Sequence, residues 1–320
     1  MAEHKRIIWV DYMRCIGLLL VISAHVFGTS TPILQLLFGC NVAIMIVVSG
    51  YCSVKSSECS LAHYYKKRGK QLIIHSWTFF VVYFGLVGLL NIGKMYPYSS
   101  SQIIKTFLFM DGIGFTWIIA VFIITSFVTP LIRLMIEKMP QIKLCFPIAY
   151  WGVGLLLFVL NIGNSMVKVF LYISGYVFLT FIGFSVKKDW SYKRVYFISG
   201  IIVLLCCIAI LFSKQEDIFD LSGNKYPPTV YYITYGMTIS ILLISLLSRY
   251  DEKLNKWKGS KYITKISSLS FDIYLWHIFG LYITSSIVNK WLKYLIVTFI
   301  AVISAVVYKK AKIALVNQKQ

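Results

Sequence analysis

The sequence predicts an all-α, polytopic membrane protein of about ten transmembrane helices in one bundle. Of its 320 residues, 58% are hydrophobic and only 14% are charged, whereas soluble domains carry about 25% charged residues. The apolar residues form runs close to the ~20 residues that cross a bilayer. The 32 basic residues, which give a net charge of +20, fall mainly between these runs. This pattern indicates membrane lipids, and not nucleic acid, as the protein's surroundings.

The apolar runs predict ten helices, each bounded by polar or basic connections. In chain order they cover approximately 7–28, 34–54, 72–90, 116–136, 145–161, 168–186, 194–213, 229–248, 267–288 and 291–309. The longest connections, roughly 55–71, 91–115, 213–228 and 249–266, are short. The chain 1–320 is therefore predicted to form a single membrane-embedded domain without an attached soluble domain.

The distribution of basic residues predicts the orientation of the helices. Twenty-four lysines and arginines lie on the side that carries both termini, seven lie on the other side, and Arg14 lies within a helix. Because cytoplasmic connections are enriched in basic residues, both termini are predicted to be cytoplasmic. Asp11 and Arg14 interrupt the first apolar run, which favours a permanent helix over a cleaved signal peptide. The seven cysteines contain no C-x-x-C pair, so no metal site is expected.

The first helix carries three ionisable residues on one face. At about 100° per residue, Arg14 and His25 are only ~20° apart, and Asp11 lies within ~60° of both. Such groups face the bundle interior or a wet cavity, where they are usually functional. Asp11 and Arg14 are also spaced to pair with each other. The alternative is a packing stripe, in which an ion pair orders the helix and the histidine bonds a neighbouring carbonyl.

These residues resemble the signature of the acyltransferase-3 family of integral membrane acyltransferases. The first helix has D-x-x-R and then a histidine after ten further residues, which are Asp11, Arg14 and His25. Members of this family typically move acetyl from acetyl-CoA onto extracytoplasmic glycans. The stretch "VAIMIVVSGYCS" resembles the end of the family's second helix, through Ser49. "GIGFTWIIAVFIIT" resembles its fourth helix, through Trp117.

Two further stretches carry the resemblance, one of them with a departure. "SSLSFDIYLWHIF" resembles the family's late S-x-x-I-Y-L-x-H segment, through Tyr274 and His277. "HYYKKRGKQLIIHSW" resembles the basic stretch before the third helix, where the family has R-x-x-R and then a proline. Arg68 matches the first arginine, whereas Gln71 and His75 occupy the second arginine and proline positions.

The resemblance implies a membrane O-acyltransferase that uses acyl-CoA, most simply acetyl-CoA, as a substrate and has no permanently bound cofactor. His25 is the candidate catalytic residue, because an alcohol needs a base and histidine titrates near neutral pH. An acyl-histidine intermediate is the other route that remains open. Arg14 is the second catalytic candidate, as a group that orients the donor. Asp11 is the candidate that orients Arg14.

The basic stretch before the third helix is the candidate donor-binding segment, through Lys67, Arg68, Lys70 and His75. Its cations could bind the phosphates of CoA, and the alternative is a pure topology signal. Ser49, Trp117, Tyr274 and His277 are candidates for contact with the acceptor or for packing. Of these, Trp117 has a membrane-interface anchor as its alternative, and His277 a structural histidine.

The predicted partners are acyl-CoA, membrane lipids and a glycan or lipid-linked sugar acceptor, at the plasma membrane. The oligomeric state stays open. The main alternative is a membrane transporter of a lipid-linked glycan or small solute. Transporters often show paired, broken helices in inverted repeats, and this pattern is not seen in the sequence.

Overall fold

The computed structural model of the protein describes residues 6–110, 112–161 and 164–317. This part of the chain is built of helices and turns, with an isolated β-bridge between Lys225 and Pro228. The helices are α1 (Ile8–Phe27), α2 (Pro32–Gly39), α3 (Asn41–Ser56), α4 (Leu61–Gly69), α5 (His75–Leu90), α6 (Ser100–Phe107), α7 (Trp117–Lys138), α8 (Ile142–Leu160), α9 (Ser165–Lys188), α10 (Tyr192–Ser213), α11 (Val230–Arg249), α12 (Asp251–Lys256), α13 (Ser260–Ser268), α14 (Ser270–Ile283) and α15 (Lys290–Asn317).

The helical, membrane-spanning architecture that the sequence predicts is confirmed. Within the described ranges, nine helices are long and apolar enough to cross a membrane, and the bent pair α13 and α14 raises this to ten if it forms one span. Two of the nine are composite: α2 and α3 form the span Pro32–Ser56, and α4 and α5 form the span Leu61–Leu90. The ends of the chain, residues 1–5 and 318–320, lie outside the described residues, so their cytoplasmic location stays a prediction.

The ninth span differs from the expected helix 267–288. It starts earlier, at Ser260, ends earlier, at Ile283, and bends by 75° between α13 and α14. Its N-terminal part is too polar to register as an apolar run, since α13 reads SKYITKISS. Beyond Ile283 the sequence TSSIVN consists of weak helix formers. Apolar content alone therefore misplaced both ends of this span.

The third span also starts earlier than predicted. The connection expected over 55–71 ends at Ser60, whose side chain accepts a hydrogen bond from the His63 amide and caps the start of α4. Lysine, arginine and alanine are good helix formers, so the helix runs through the basic stretch to a π-helical turn at Lys70–Ile74. Lys67 and Arg68 thus lie on a helix and not before one.

The chain forms two compact units. Unit 1 joins the chain up to Val48 with the chain from Lys193 onward, and unit 2 covers Ser49–Tyr192. In unit 1, α1 packs against α2, α11, α13, α14 and α15. Helices α14 and α15 approach closely at Gly280, where an added Cβ would lie 3.2 Å from the Val297 Cα.

In unit 2, Gly50 of α3 lies close to the backbone of Thr180 of α9. An added Cβ at Gly50 would lie 3.0 Å from the Thr180 Cα and nearer still to its carbonyl oxygen. Real Cβ atoms do not pack this tightly against backbone. Gly50 therefore allows α3 and α9 to pack closely, while Ser49, a candidate for acceptor contact or packing, is half-buried beside it.

The orientation across the membrane can be tested at the two ends of the Leu61–Leu90 helix. Lys67 is exposed near its start and Lys94 is exposed just beyond its end. With the exposed Cys59, Cys145 and Cys206 removed, we expect Lys94→Cys to react with a membrane-impermeant thiol reagent in intact cells. Lys67→Cys should react only after permeabilisation, because the basic end is predicted to be cytoplasmic. Labelling in the reverse order would contradict the predicted orientation.

Candidate active site

The C-terminal end of α1 presents His25 in its last turn. The helix ends there because Gly28 adopts a φ of 78°, a left-handed conformation that glycine tolerates best. His25 is half-buried, and its ring stacks on that of His277 from α14, with centroids 5.4 Å apart and planes 22° from parallel. Two histidines that the sequence singled out on separate grounds therefore form one pair in unit 1.

His277 is fully buried, and its surroundings define its tautomer. Its Nδ1 contacts the carbonyl oxygen of Tyr274, one helical turn earlier. A carbonyl oxygen only accepts hydrogen bonds, so Nδ1 is the donor and the neutral ring has its lone pair on Nε2. The Tyr274 ring also packs against that of His277, at 5.1 Å between centroids. Tyr274 thus holds His277 through its backbone and its ring.

The other end of α1 is held by a buried carboxylate. Asp11 is 2% exposed and accepts two hydrogen bonds from the Arg6 guanidinium, at 2.6 Å from Nε and 3.0 Å from Nη2. Ser267 of α13 donates a third, at 2.6 Å. Arg6 also donates to the Thr264 carbonyl, at 3.1 Å. These contacts tie α1 to the residues immediately before the 75° bend.

The ion pair of Asp11 is therefore formed with Arg6, and the pairing with Arg14 that the sequence suggested is wrong. The sequence reasoning missed Arg6 because it lies outside the apolar run, and Ser267 because it comes from a distant part of the chain. Arg14 is half-buried and makes no hydrogen bond or ion pair to any residue that the structure describes. It stands on the same side of α1 as His25, about 16 Å toward the N-terminal end of the helix.

A second carboxylate fixes the start of α1. The Trp9 amide donates to Asp251 Oδ1 at 2.8 Å, so the first residue of α12 caps a helix far from it in sequence. The first amides of a helix have no partner within it, and a carboxylate there is a strong acceptor. The start of α1 is thus held by residues from the C-terminal part of unit 1.

The C-terminal end of α1 is held by two other elements of unit 1. Lys290 donates to the Phe27 carbonyl at 3.0 Å, and the Phe27 ring meets Trp291 edge-on at 4.7 Å. Ser222, from the loop between α10 and α11, donates to Thr29 Oγ1 at 3.0 Å. The last turn of α1, which carries His25, is therefore braced by α15 and by this loop.

The donor-binding candidates lie in unit 2. Arg68 donates to Ser56 Oγ at 3.0 Å, and its guanidinium lies 5.6 Å from the Tyr64 ring centroid. The hydrogen bond and the cation–π contact together hold the Arg68 side chain in one orientation. Lys67 and Lys70 are exposed, and the half-buried His75 begins α5 immediately after the π-helical turn. Such turns occur frequently at functional sites.

Trp117 starts α7 in unit 2 and is engaged in packing. Its ring lies 6.4 Å from that of Tyr172 and 6.2 Å from that of Tyr176, and its carbonyl accepts a hydrogen bond from the Tyr172 hydroxyl at 3.4 Å. These aromatic contacts fit the packing alternative. Contact with a sugar stays a prediction.

The comparisons with known proteins give a family. A family model described as an acyltransferase domain, that of the acyltransferase-3 family, matches residues 7–309. No curated protein and no solved structure matches the chain. The match includes the whole of the histidine pair and the apolar helices that surround it. The chain belongs to the acyltransferase-3 family and is an integral membrane acyltransferase.

Proposed function

We propose that the protein transfers an acetyl group from cytoplasmic acetyl-CoA to a hydroxyl of an extracytoplasmic or lipid-linked glycan, in the plasma membrane. The observation that supports this is the histidine pair at the outer end of α1. His25 is half-buried, stacked and braced from two sides, so its imidazole is held in one plane beside the outer face. A base at this depth suits an acceptor that arrives from outside.

His25 acts as the general base in this proposal. The acceptor hydroxyl gives its proton to the His25 imidazole while its oxygen bonds to the thioester carbonyl carbon. The tetrahedral oxyanion then collapses, the carbon–sulfur bond breaks, and His25 returns the proton to the departing thiolate. The products are a glycan ester and free CoA. His277 keeps the His25 ring in position, through the stack and its own bond to Tyr274.

The covalent route uses the same residue. In that route, an imidazole nitrogen of His25 attacks the thioester and CoA leaves before the acceptor binds. The two routes predict different CoA release when no acceptor is present, because formation of an acyl-histidine releases one equivalent of CoA per enzyme in a rapid burst. Direct transfer gives no such burst. Rapid-quench measurement of CoA release therefore separates them.

The proposed activity is tested with purified protein reconstituted in vesicles. The assay supplies labelled acetyl-CoA as donor and glycan isolated from the cells that make the protein as acceptor. We expect label in alkali-sensitive esters of the glycan and a matching release of CoA. The family membership covers acyl transfer in general, so the donor and the acceptor are the two unknowns. Label that appears only in a glycan amide, or no consumption of acetyl-CoA, would contradict the proposal.

Arg68 is the proposed contact for the donor phosphates. Its fixed orientation by Ser56 and Tyr64 suits bidentate binding of a phosphate. We expect Arg68→Ala to raise the KM for acetyl-CoA about tenfold to a hundredfold, the value of one lost charge-assisted contact. Arg68→Lys keeps the charge but loses the planar donor geometry. Its KM for acetyl-CoA should lie between that of the wild type and that of Arg68→Ala. An unchanged KM in correctly inserted Arg68→Ala protein would reduce the basic stretch to a topology signal.

A further inference from the structure

Lys225 lies in the loop between α10 and α11, which contacts the chain just beyond the C-terminal end of α1. Its side chain is half-buried, and Ser222 of the same loop is hydrogen-bonded to Thr29, four residues after His25. Lysine is among the residue types that are least often buried. A half-buried cation on the loop that is bonded to the segment following His25 therefore calls for an explanation beyond membrane orientation.

The loop that carries Lys225 is built to hold its position. Ser222 donates from its hydroxyl to Thr29 Oγ1 and from its amide to Gln35 Oε1, each at 3.0 Å. Thr29 follows His25 by four residues, so the anchor of the loop and the base share one short segment. The hydroxyl of Tyr231, at the start of α11, also donates to the Ile218 carbonyl of the loop at 2.6 Å.

Two of the acidic residues of the loop bond to the loop itself. Asp217 accepts from the Phe219 amide and Asp220 from the Gly223 amide, both at 2.8 Å. Asn224 bonds the Asp220 carbonyl at 2.8 Å and accepts from Thr229 at 2.9 Å. These contacts give the loop one internally bonded conformation. They also direct the carboxylates to backbone amides.

Lys225 is restrained within this framework. Its amide donates to the Ser222 carbonyl at 3.2 Å, its backbone bridges to Pro228, and its Nζ lies 5.2 Å from the Tyr226 ring centroid. The titratable groups around it are Tyr226 from its own loop, in contact with the ammonium, and His25 from α1 at longer range. Burial lowers the pKa of the Lys225 ammonium to about 8, so part of its charge is lost in mildly alkaline solution.

We propose that Lys225 is a further catalytic residue, whose ammonium stabilises the oxyanion formed when the acceptor hydroxyl attacks the thioester. This inference rests on the proposed function of His25. Thioester attack converts a neutral carbonyl oxygen into an anion within reach of His25, and a preoriented cation in a poorly hydrated site stabilises that charge strongly. Lys225 keeps its own protons throughout. The proton of the hydroxyl still passes to His25 and then to the leaving thiolate.

The test compares Lys225→Gln and Lys225→Arg with the wild type across pH 6 to 10, with acetyl transfer as the readout. We expect Lys225→Gln to lower kcat about a hundredfold at pH 7, the scale of a lost oxyanion contact. The wild-type rate should fall as the pH rises through about 8, because the ammonium must be charged to act. Lys225→Arg stays charged over this range, so it should lose this alkaline decline and exceed Lys225→Gln at pH 9.

Two controls make the outcome specific. Lys293→Gln removes another lysine from the predicted outer side of unit 1 and should match the wild type. Background hydrolysis of the thioester is subtracted with His25→Ala protein. Lys225→Gln within twofold of the wild type, or equal rates for the Gln and Arg variants at both pH 7 and pH 9, would overturn the role of Lys225. Full activity of His25→Ala would instead overturn the proposed function itself.

Discussion

His25→Ala protein should transfer no measurable acetyl group to the glycan, although it inserts into the membrane and binds acetyl-CoA. Loss of a general base costs about 10²–10⁴ in rate, and loss of a covalent nucleophile would cost more. The effect should be confined to chemistry, because alanine leaves α1 braced by Thr29 and by the Phe27 carbonyl. The measurement is transfer by each variant, normalised to the amount of inserted protein.

The matched control for this experiment is His63→Ala. His63 is an exposed histidine in the first turn of α4, in unit 2. Its removal tests whether the loss of a histidine elsewhere in the chain lowers the rate. We expect it to keep the wild-type rate. If His25→Ala transfers acetyl at a rate close to the wild type, the histidine pair is a packing feature and the base lies elsewhere.

Arg6→Ala should destabilise the protein strongly. The Asp11 side chain is 3% exposed, while that of Arg6 is 51% exposed, so removal of the arginine strands the buried carboxylate. Breaking a buried ion pair by removing one partner costs about 3–5 kcal/mol, and the partial exposure of Arg6 points to the lower end. Thermal unfolding in detergent should show a midpoint that is lower by several degrees.

The same pair predicts a rescue. Adding Asp11→Asn to Arg6→Ala removes the stranded charge and keeps an acceptor for Ser267, so the double variant should recover much of the lost stability. Arg14→Ala is the matched control, because Arg14 does not pair with Asp11. If Arg14→Ala lowered the unfolding midpoint as far as Arg6→Ala, Asp11 would be paired with Arg14, as helix spacing alone suggested.

The sequence was sufficient to predict the helices but not their breaks. Apolar runs find segments that lipid surrounds, so the straight spans were predicted well. Helix α13 carries two lysines and three serines, and the last turn of α4 is basic. Neither looks apolar, although both are helical, because helix propensity and capping do not depend on hydrophobicity.

The candidate site was predicted as single residues and not as a constellation. His25 and His277 stand out by residue type, since ionisable groups in apolar segments are rare. Their contact depends on how α14 leaves the bend, which no local pattern encodes. Arg6 and Lys225 were missed as partners for a related reason. A lysine or arginine in a connection looks like a topology signal until its neighbours in space are known.

The 75° bend also sets the thickness of membrane that this part of the protein matches. Helix α14, with 14 residues, rises only about 21 Å, whereas the hydrocarbon core of a bilayer is about 30 Å thick. The helix that carries His277 is therefore too short to match the bilayer by itself, and α13 turns away from its direction. Lipids beside a short helix thin locally to meet it. Such thinning would shorten the hydrophobic barrier beside the histidine pair and reduce the distance that separates the two aqueous compartments there.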